Sequence, residues 1–175
     1  MRLFVALELP GGVVEALVGW ARAAEQPGLR LLPASSLHVT LAFLGERPDE
    51  DAGEIGAAVL ACAAPVPGLR LDEPAWLGRG TALSLDLIDG AGACAAAQGC
   101  VAERLAAIGA YAPELRPFRP HVTVARVRRG ARVTRGKLPP APAVDGFSGT
   151  ALTLFESTLS PRGARYRPLS RAELP

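Results

Sequence analysis

A four-residue pattern that occurs twice constrains this chain more than any other feature. Residues 38–41 (HVTL) and 121–124 (HVTV) both read His-x-Thr followed by an apolar residue, and they lie 83 positions apart. Each pattern belongs to an alternating run that is typical of a β-strand. Because residues i and i+2 of a strand point to the same face, each imidazole shares a face with a threonine hydroxyl. We therefore expect one site that is built from two related halves.

The two patterns contain the only histidines of the chain, His38 and His121. Imidazole titrates nearest to neutral pH, so one ring can accept a proton while the other donates one, which is general acid–base catalysis. The hydroxyls of Thr40 and Thr123 can donate hydrogen bonds to an anionic oxygen. Together these groups suit the opening of a phosphodiester, and we expect the reaction to need neither a metal nor a cofactor.

Other chemistries find less support. Two histidines with no cysteine or carboxylate in either pattern are a thin ligand set for a metal. The chain contains neither a Gly-x-Ser-x-Gly nucleophile turn nor a Gly-x-x-x-x-Gly-Lys-Ser/Thr phosphate loop. A single His-x-Thr would carry no information, because a lone histidine in a strand is usually a core or surface residue. The catalytic interpretation therefore depends on the duplication.

The cysteines and the apolar segments indicate where the protein works. Cys62, Cys94 and Cys100 lie in alanine-rich, helix-like segments and form no Cys-x-x-Cys pair, so we predict small buried residues and neither a disulfide nor a zinc site. No apolar run reaches the roughly 18 residues that span a bilayer, and the N-terminal apolar stretch is too short for a signal peptide. We expect a cytoplasmic monomer without a membrane partner.

Charge is unevenly distributed along the chain. Residues 1–111 carry 7 basic and 13 acidic residues, whereas residues 112–175 carry 12 and 4, so the two parts have net charges of −6 and +8. A basic C-terminal part favours an anionic ligand, with nucleic acid as the leading candidate. A solvated basic surface is the alternative, and it applies equally to the basic loop at residues 128–137.

The periodicity predicts an α+β fold with mostly antiparallel strands, because strands and helices occur without a regular βαβ repeat. No linker is long enough to separate two independent domains, so we expect one two-lobed domain over residues 1–175. Strands are predicted over residues 2–9, 29–32, 37–44, 69–72, 81–87, 121–127, 149–157 and 166–169, helices over 13–25, 49–64 and 91–109, and a turn over 160–163.

The sequence also resembles a known family. It is similar to the RNA 2′,3′-cyclic phosphodiesterases, also named 2′-5′ RNA ligases, of the two-histidine phosphoesterase superfamily. The resemblance extends over nearly the whole chain, and five segments carry it: residues 2–10, 36–45, 116–126, 154–157 and 163–169. The resemblance implies a bilobal fold, in which two pseudosymmetric lobes of mostly antiparallel sheet with outer helices surround a central cleft.

Similar enzymes hydrolyse the 2′,3′-cyclic phosphate at an RNA end to a 2′-phosphomonoester, and some join RNA halves, such as tRNA fragments, through a reversible 2′-5′ bond. By position, the resemblance implies that His38 donates a proton to the leaving 3′ oxygen and that His121 accepts one from water. It also implies that Thr40 and Thr123 bind phosphate oxygens. The residues by themselves leave the roles of the two histidines interchangeable.

Three further residues are predicted to bind the substrate. Phe43 and Arg126 each lie five positions after a motif histidine, where similar enzymes line the pocket, and Arg119 is a third candidate. An aromatic ring can stack on a base, and a guanidinium can pair with a phosphate. Strand parity, however, places position i+5 on the face opposite the histidine. Phe43 and Arg126 can reach the cleft only if each strand bends, bulges or ends first; otherwise Phe43 packs in the core and Arg126 lies on the surface.

Two other functions stay open at this point. One is a phosphodiesterase for small nucleoside cyclic phosphates, which would turn over a mononucleotide as well as an oligomer. The other is an RNA-binding module with little turnover. An RNA-binding module needs no pair of imidazoles, so the presence of both complete His-x-Thr patterns favours an enzyme.

Overall fold

The computed structural model describes residues 1–160 and 163–175. The strands are β1 (Arg2–Glu8), β2 (Leu29–Leu31), β3 (Val39–Glu46), β4 (Leu69–Leu77), β5 (Ala82–Asp89), β6 (His121–Val127), β7 (Ala151–Ser160) and β8 (Gly163–Glu173). The α-helices are α1 (Gly11–Ala23), α2 (Ala52–Leu60) and α3 (Ala93–Ala107), and short 3₁₀ turns lie at Ala34–Ser36, Asp49–Asp51 and Gly78–Gly80. Within these residues, no helix has the length and apolar character that crossing a membrane requires.

All eight described strands belong to one sheet. Seven of them follow the order β4-β5-β6-β3-β1-β7-β8, and β2 pairs with the end of β6 that β3 does not reach. Every pairing between these strands is antiparallel. The predicted α+β class with mostly antiparallel pairing is therefore confirmed. Strand β1 lies between β3 and β7 in the middle of the sheet, and its continuous apolar run Leu3–Leu7 is fully buried.

The two motif strands meet at the centre of the sheet and then separate. β3 and β6 are paired only at Val39 and Val122. Beyond this point β6 pairs instead with β2, through Ala125 to Val127. Because β3 and β6 diverge from one contact, a cleft opens between them, and the two His-x-Thr patterns lie at its base.

The helices link the two sides of the sheet. Helix α1 follows β1 but packs beneath β6, and α3 follows β5 but packs beneath β3. Each helix therefore supports the motif strand of the opposite side. Val13, Leu17 and Trp20 of α1 belong to the same continuous apolar core as Val101 and Leu105 of α3.

Some boundaries differ from the sequence prediction. Strand β4 runs to Leu77 rather than ending at residue 72, since a register shift between Leu71 and Pro74 lets the edge strand accommodate its proline. Residues 49–51 form a 3₁₀ turn, so the second helix is shorter than predicted. β7 and β8 form a longer hairpin than predicted. The predicted turn at 160–163 includes Pro161 and Arg162, which lie outside the described residues.

The prediction that the cysteines form no disulfide is wrong for two of them. Cys62 and Cys100 are bonded, with their Cα atoms 5.8 Å apart. Helices α2 and α3 pack side by side, and this brings together two residues that are 38 positions apart in the sequence. Cys94 is free and buried, as predicted, and burial raises the pKa of its thiol to about 12. Its thiol is therefore protonated at neutral pH and is not a nucleophile.

Candidate active site

The cleft between the motif strands has a volume of about 910 Å³ and contains both His-x-Thr patterns. Its walls come from strands on both sides of the sheet and from the β7–β8 hairpin. The side chains that line it include His38, Thr40, Phe43, His121, Thr123, Arg126, Arg2, Phe4, Arg30, Arg129 and Tyr166. The structure thus brings together six of the seven predicted site residues.

The pairing of Val39 with Val122 sets the geometry at the base of the cleft. In an antiparallel pair, continuing this register by one residue in each direction places His38 opposite Thr123 and Thr40 opposite His121. Each imidazole therefore has one threonine two residues along its own strand and the other across the sheet. The two patterns are related by an approximate twofold axis through the valine pair.

His121, the first residue of β6, is held by the main chain. Its Nδ1 lies 2.8 Å from the carbonyl oxygen of Arg119. A carbonyl can only accept, so Nδ1 carries the proton and Nε2 is the nitrogen that is left for proton exchange. His38 has the corresponding arrangement, since its ring is hydrogen-bonded to the backbone of Ser36, which also lies two residues earlier.

His38, directly before β3, lies in an aromatic cluster. Its ring stacks on Phe4 with centroids 5.0 Å apart, and the edge of Tyr166 approaches it at 5.5 Å. Burial against these rings lowers the pKa of His38 from 6.5 to about 4, and the charges of His121 and Arg126 act in the same direction. The backbone bond to Ser36 opposes the shift only in part. In the unliganded protein His38 is therefore neutral at neutral pH.

A β-bulge in each motif strand resolves the conflict over strand parity. In β3, Thr40 is opposite Ala6 and Ala42 is opposite Val5, so Leu41 is an extra residue. An extra residue reverses the alternation beyond it, which returns position i+5 to the face of the histidine. Phe43 consequently lines the cleft.

Strand β6 has its bulge at the equivalent position. Thr123 is opposite Ser84 and Ala125 is opposite Leu83, so Val124 is the extra residue. Arg126 is thereby turned to the cleft as well. The two bulges occur three residues after the two histidines, which extends the duplication from the side chains to the backbone.

Phe43 and Arg126 are both accessible to a ligand. Phe43 is 46% exposed, and the guanidinium of Arg2 lies over its ring, 4.8 Å from the centroid. A side chain that is nearly half exposed does not belong to the core, so the alternative of core packing does not apply to Phe43. Arg126 is exposed and lies directly opposite Arg30 of β2. Two guanidinium groups at the cleft favour an anionic ligand.

Arg119 does not line the cleft. Its guanidinium forms an ion pair with Asp86, and only its carbonyl oxygen acts on the site, through Nδ1 of His121. Asp86 lies directly across from His121 on β5, and its Oδ1 is buried without a hydrogen-bond partner among the described residues. Asp86 therefore fixes Arg119, and Arg119 orients the imidazole.

An acidic residue occupies the equivalent place beside His38. The β1–β3 register pairs Leu7 with Val39, so Glu8 follows opposite His38. Glu8 accepts hydrogen bonds from Thr153 at 2.6 Å and from Arg171 at 3.0 Å. Its negative charge raises the pKa of His38 and so counteracts part of the effect of burial.

Sequence reasoning missed the acids and the aromatic cluster. A signal for the acids exists, because residues 6–9 (ALEL) and 84–87 (SLDL) are a second duplicated pattern on the strands beside the motifs. Phe4, Phe155 and Tyr166 have no such signal, since three strands bring them together only in the folded sheet. In the described part of the chain, no cluster of three or more histidine, cysteine or acidic residues has the geometry of a metal site.

Known proteins share this fold and much of the sequence. The model of the 2′-5′ RNA ligase superfamily matches residues 13–154. The chain is 32% identical to the RNA 2′,3′-cyclic phosphodiesterase of Escherichia coli, over 97% of this chain and 94% of that protein. It is 31% identical to the protein of the same name from Thermus thermophilus, over 99% and 90%.

Solved structures agree with the sequence comparison. The crystal structure of E. coli LigT complexed with 3′-AMP superimposes with a TM-score of 0.81 at 27% identity, covering 99% of this chain and 97% of that one. With its duplicated strands, its central cleft and a family match over most of its length, the chain belongs to the 2′-5′ RNA ligase superfamily.

Proposed function

We propose that this protein hydrolyses the 2′,3′-cyclic phosphate at RNA ends to a 2′-phosphomonoester. The observation that carries the proposal is the antiparallel pairing of the two His-x-Thr patterns at Val39 and Val122. This pairing sets two proton-transfer groups and two hydroxyl donors around one space, large enough for a nucleotide. The relatives named RNA 2′,3′-cyclic phosphodiesterase support the same reaction.

In the proposed mechanism, the phosphate lies between the two patterns. The hydroxyls of Thr40 and Thr123 donate hydrogen bonds to its non-bridging oxygens. Water attacks phosphorus and loses a proton to Nε2 of His121, while the P–O3′ bond breaks and the 3′ oxygen takes a proton from His38. The products are a 2′-phosphate and a free 3′ hydroxyl, and proton exchange with solvent restores the pair.

The low pKa of His38 places a condition on this mechanism. In the unliganded protein the ring is neutral, which suits an acceptor rather than the predicted donor. An anion within about 4–6 Å favours the charged form of a histidine, so the bound phosphate would raise the pKa and bring the proton to the ring. A donor with a low intrinsic pKa then releases its proton readily to the leaving oxygen.

The reaction itself is tested with an RNA oligomer that ends in a 2′,3′-cyclic phosphate, incubated with EDTA. We expect mass spectrometry to show the gain of one water and the new phosphate to resist a 3′-phosphatase. The His38→Ala and His121→Ala variants should not form the product, whereas Arg70→Gln, on an exposed strand end away from the cleft, should act as wild type. An unchanged cyclic end with wild-type protein would contradict the proposal.

A substrate with sulfur in place of the bridging 3′ oxygen shows which histidine is the general acid and which is the general base. A thiolate leaves without a proton, so the variant that lacks the acid should recover most of its rate on this substrate. We expect recovery for His38→Ala and none for His121→Ala. The opposite pattern would exchange the roles of the two histidines and leave the reaction unchanged.

The same groups would support 2′-5′ ligation. If the 5′ hydroxyl of a second RNA replaces water as the nucleophile, the proton transfers are identical and the product is a 2′-5′ phosphodiester. The superfamily description supports this second activity. We expect ligation of paired tRNA halves in the presence of a 5′-hydroxyl end, and its loss in both histidine variants.

We also propose that the chain works as one two-lobed, monomeric domain in the cytoplasm, where RNA fragments arise. The cytoplasm is reducing, so Cys62 and Cys100 would be thiols there and the contact between α2 and α3 would depend on packing alone. Alkylation of the protein under denaturing conditions, in freshly lysed cells, tests this location. Three modified cysteines would support it, and modification of Cys94 alone would contradict it, because Cys62 and Cys100 would then be bonded.

A further inference from the structure

The loop at residues 128–137, which follows the second motif strand, is a strongly basic surface that adjoins the cleft. It carries five exposed cationic side chains: Arg128, Arg129, Arg132, Arg135 and Lys137. The surrounding sequence adds no counter-charge, because residues 115–144 contain no aspartate or glutamate. None of the five cations forms an ion pair with any described residue.

Hydrogen bonds hold this loop in a defined path. The backbone N–H of Arg128 donates to the carbonyl of Gly28 at 2.8 Å. Gln26 and Thr134 exchange two hydrogen bonds, of 2.9 Å and 2.6 Å. Trp20 Nε1 donates to the carbonyl of Pro140 at 2.8 Å. The cations are therefore displayed on a fixed surface rather than on a freely moving segment.

A further cation adjoins the loop at the turn between β4 and β5. The guanidinium of Arg135 donates to the carbonyl oxygen of Arg79 at 3.2 Å, and it packs against Gly80. Arg79 is itself exposed and has a left-handed backbone, with φ 58°. Arg79 therefore adds a sixth exposed cation beside the loop, and a positive surface of this kind attracts a polyanion.

The charged surface is continuous with the cleft. Arg129, in the first turn of the loop, lines the cleft beside Arg126. When the 3′ end of an RNA lies in the cleft, the nucleotides on its 5′ side extend out of the cleft. The positive surface of the loop begins at the cleft, beside β2 and β6, where these nucleotides can contact it. The ten residues of the loop include no aromatic side chain on which a base could stack.

We propose that the loop at residues 128–137 binds the backbone phosphates of the nucleotides that precede the reacting end. This inference rests on the proposed function and specifies its substrate as an RNA chain rather than a mononucleotide. Binding through phosphates alone is independent of base sequence and falls steeply with salt.

The test compares two double variants that remove equal charge. Arg128→Gln/Arg132→Gln changes the loop, and Arg70→Gln/Arg104→Gln changes exposed arginines that do not line the cleft. Each protein is assayed on a cyclic-phosphate dinucleotide and on an RNA of about a dozen nucleotides with the same end, over a range of salt concentrations. Binding of the long RNA with a 2′-phosphate end is measured in parallel by fluorescence anisotropy.

We expect the loop variant to lose about five- to tenfold in kcat/KM and in affinity on the long RNA at low salt, with little change on the dinucleotide. Its log–log salt slope should fall by about 1.4, since each phosphate contact on a single strand contributes about 0.7. Equal losses in both double variants, or none in either, would overturn the inference. If wild-type protein turned over neither substrate, the proposed function would fail, and the anisotropy data would still decide whether the loop binds RNA.

Discussion

The first motif histidine lies against aromatic rings, whereas the second lies against main-chain and charged groups. His38 contacts Phe4 and Tyr166. In the described part of the chain no aromatic ring stacks on His121, which is oriented by the carbonyl of Arg119. The backbones of the two halves nevertheless agree, down to a bulge three residues after each histidine. A duplicated frame can therefore place two identical side chains in different surroundings, and at His38 these surroundings lower the pKa.

The largest expected effect concerns the histidines themselves. Replacing either His38 or His121 with alanine should lower kcat on a cyclic-phosphate dinucleotide by about 10²–10⁴-fold, because each removes one proton transfer. Steady-state kinetics with purified variants measure the loss. If either variant kept a rate near that of wild type, the two halves would not act as a pair.

A smaller effect concerns the free energy of unfolding, which should depend on pH through His38. The pKa of His38 is about 4 in the folded protein and near 6.5 when unfolded, so the unfolded chain takes up a proton first as pH falls. Burial of His38 should therefore cost stability progressively between these pH values, by at most about 3 kcal/mol. Urea unfolding should show a smaller loss at acidic pH in His38→Ala than in wild type.

Arg70→Gln is the control for this measurement, because Arg70 lies on an exposed strand end away from the cleft and leaves the surroundings of His38 unchanged. A pH dependence of unfolding that was the same in wild type and His38→Ala would show that the aromatic cluster does not keep His38 neutral.

The two bulges place Phe43 and Arg126 at equivalent positions in the cleft, so we expect both to bind substrate, Phe43 by stacking and Arg126 by its charge. Arg126→Ala should raise KM about tenfold, through loss of a charge-assisted contact to phosphate. Phe43→Ala should raise KM about fivefold for a dinucleotide, through loss of stacking. Arg126→Lys should recover only part of the loss, because lysine lacks the bidentate fork. Unchanged KM in both alanine variants would mean that the bulges do not deliver these residues to the substrate.

Substitutions of the two acids should have effects that differ in kind. Asp86→Asn loosens Arg119, so kcat should fall about tenfold with little change in KM, as for other supports of a catalytic histidine. Glu8→Gln removes a charge that raises the pKa of His38, so that pKa should fall further. The ring signals of His38 and the kinetics of both variants check this contrast. A shift of the His38 pKa in Asp86→Asn but not in Glu8→Gln would contradict it.

Part of this site could be predicted from the sequence because the relevant information is local. The histidines and threonines are given by the duplicated pattern. Alternation alone places position i+5 on the wrong face, because an extra residue in a strand is not visible in a period-2 rule.

The rest depends on contacts between distant segments. The bond between Cys62 and Cys100 requires two helices to pack side by side, and the spacing of the cysteines does not encode that packing. The aromatic cluster around His38 combines β1, β7 and β8. The role of Arg119 also differs from its prediction, since Asp86 holds the side chain away from the cleft while the carbonyl serves the site.

The most direct measurement is an NMR titration of the two imidazole rings in the unliganded protein. The chain has only two histidines, so two sets of ring signals are expected, and His121→Gln assigns them. The account predicts that the signal of His38 titrates with a midpoint near 4 and moves to higher pH when inorganic phosphate is added. A His38 midpoint near 6.5 that does not respond to phosphate would contradict the claim that burial in the aromatic cluster keeps His38 neutral until an anion binds.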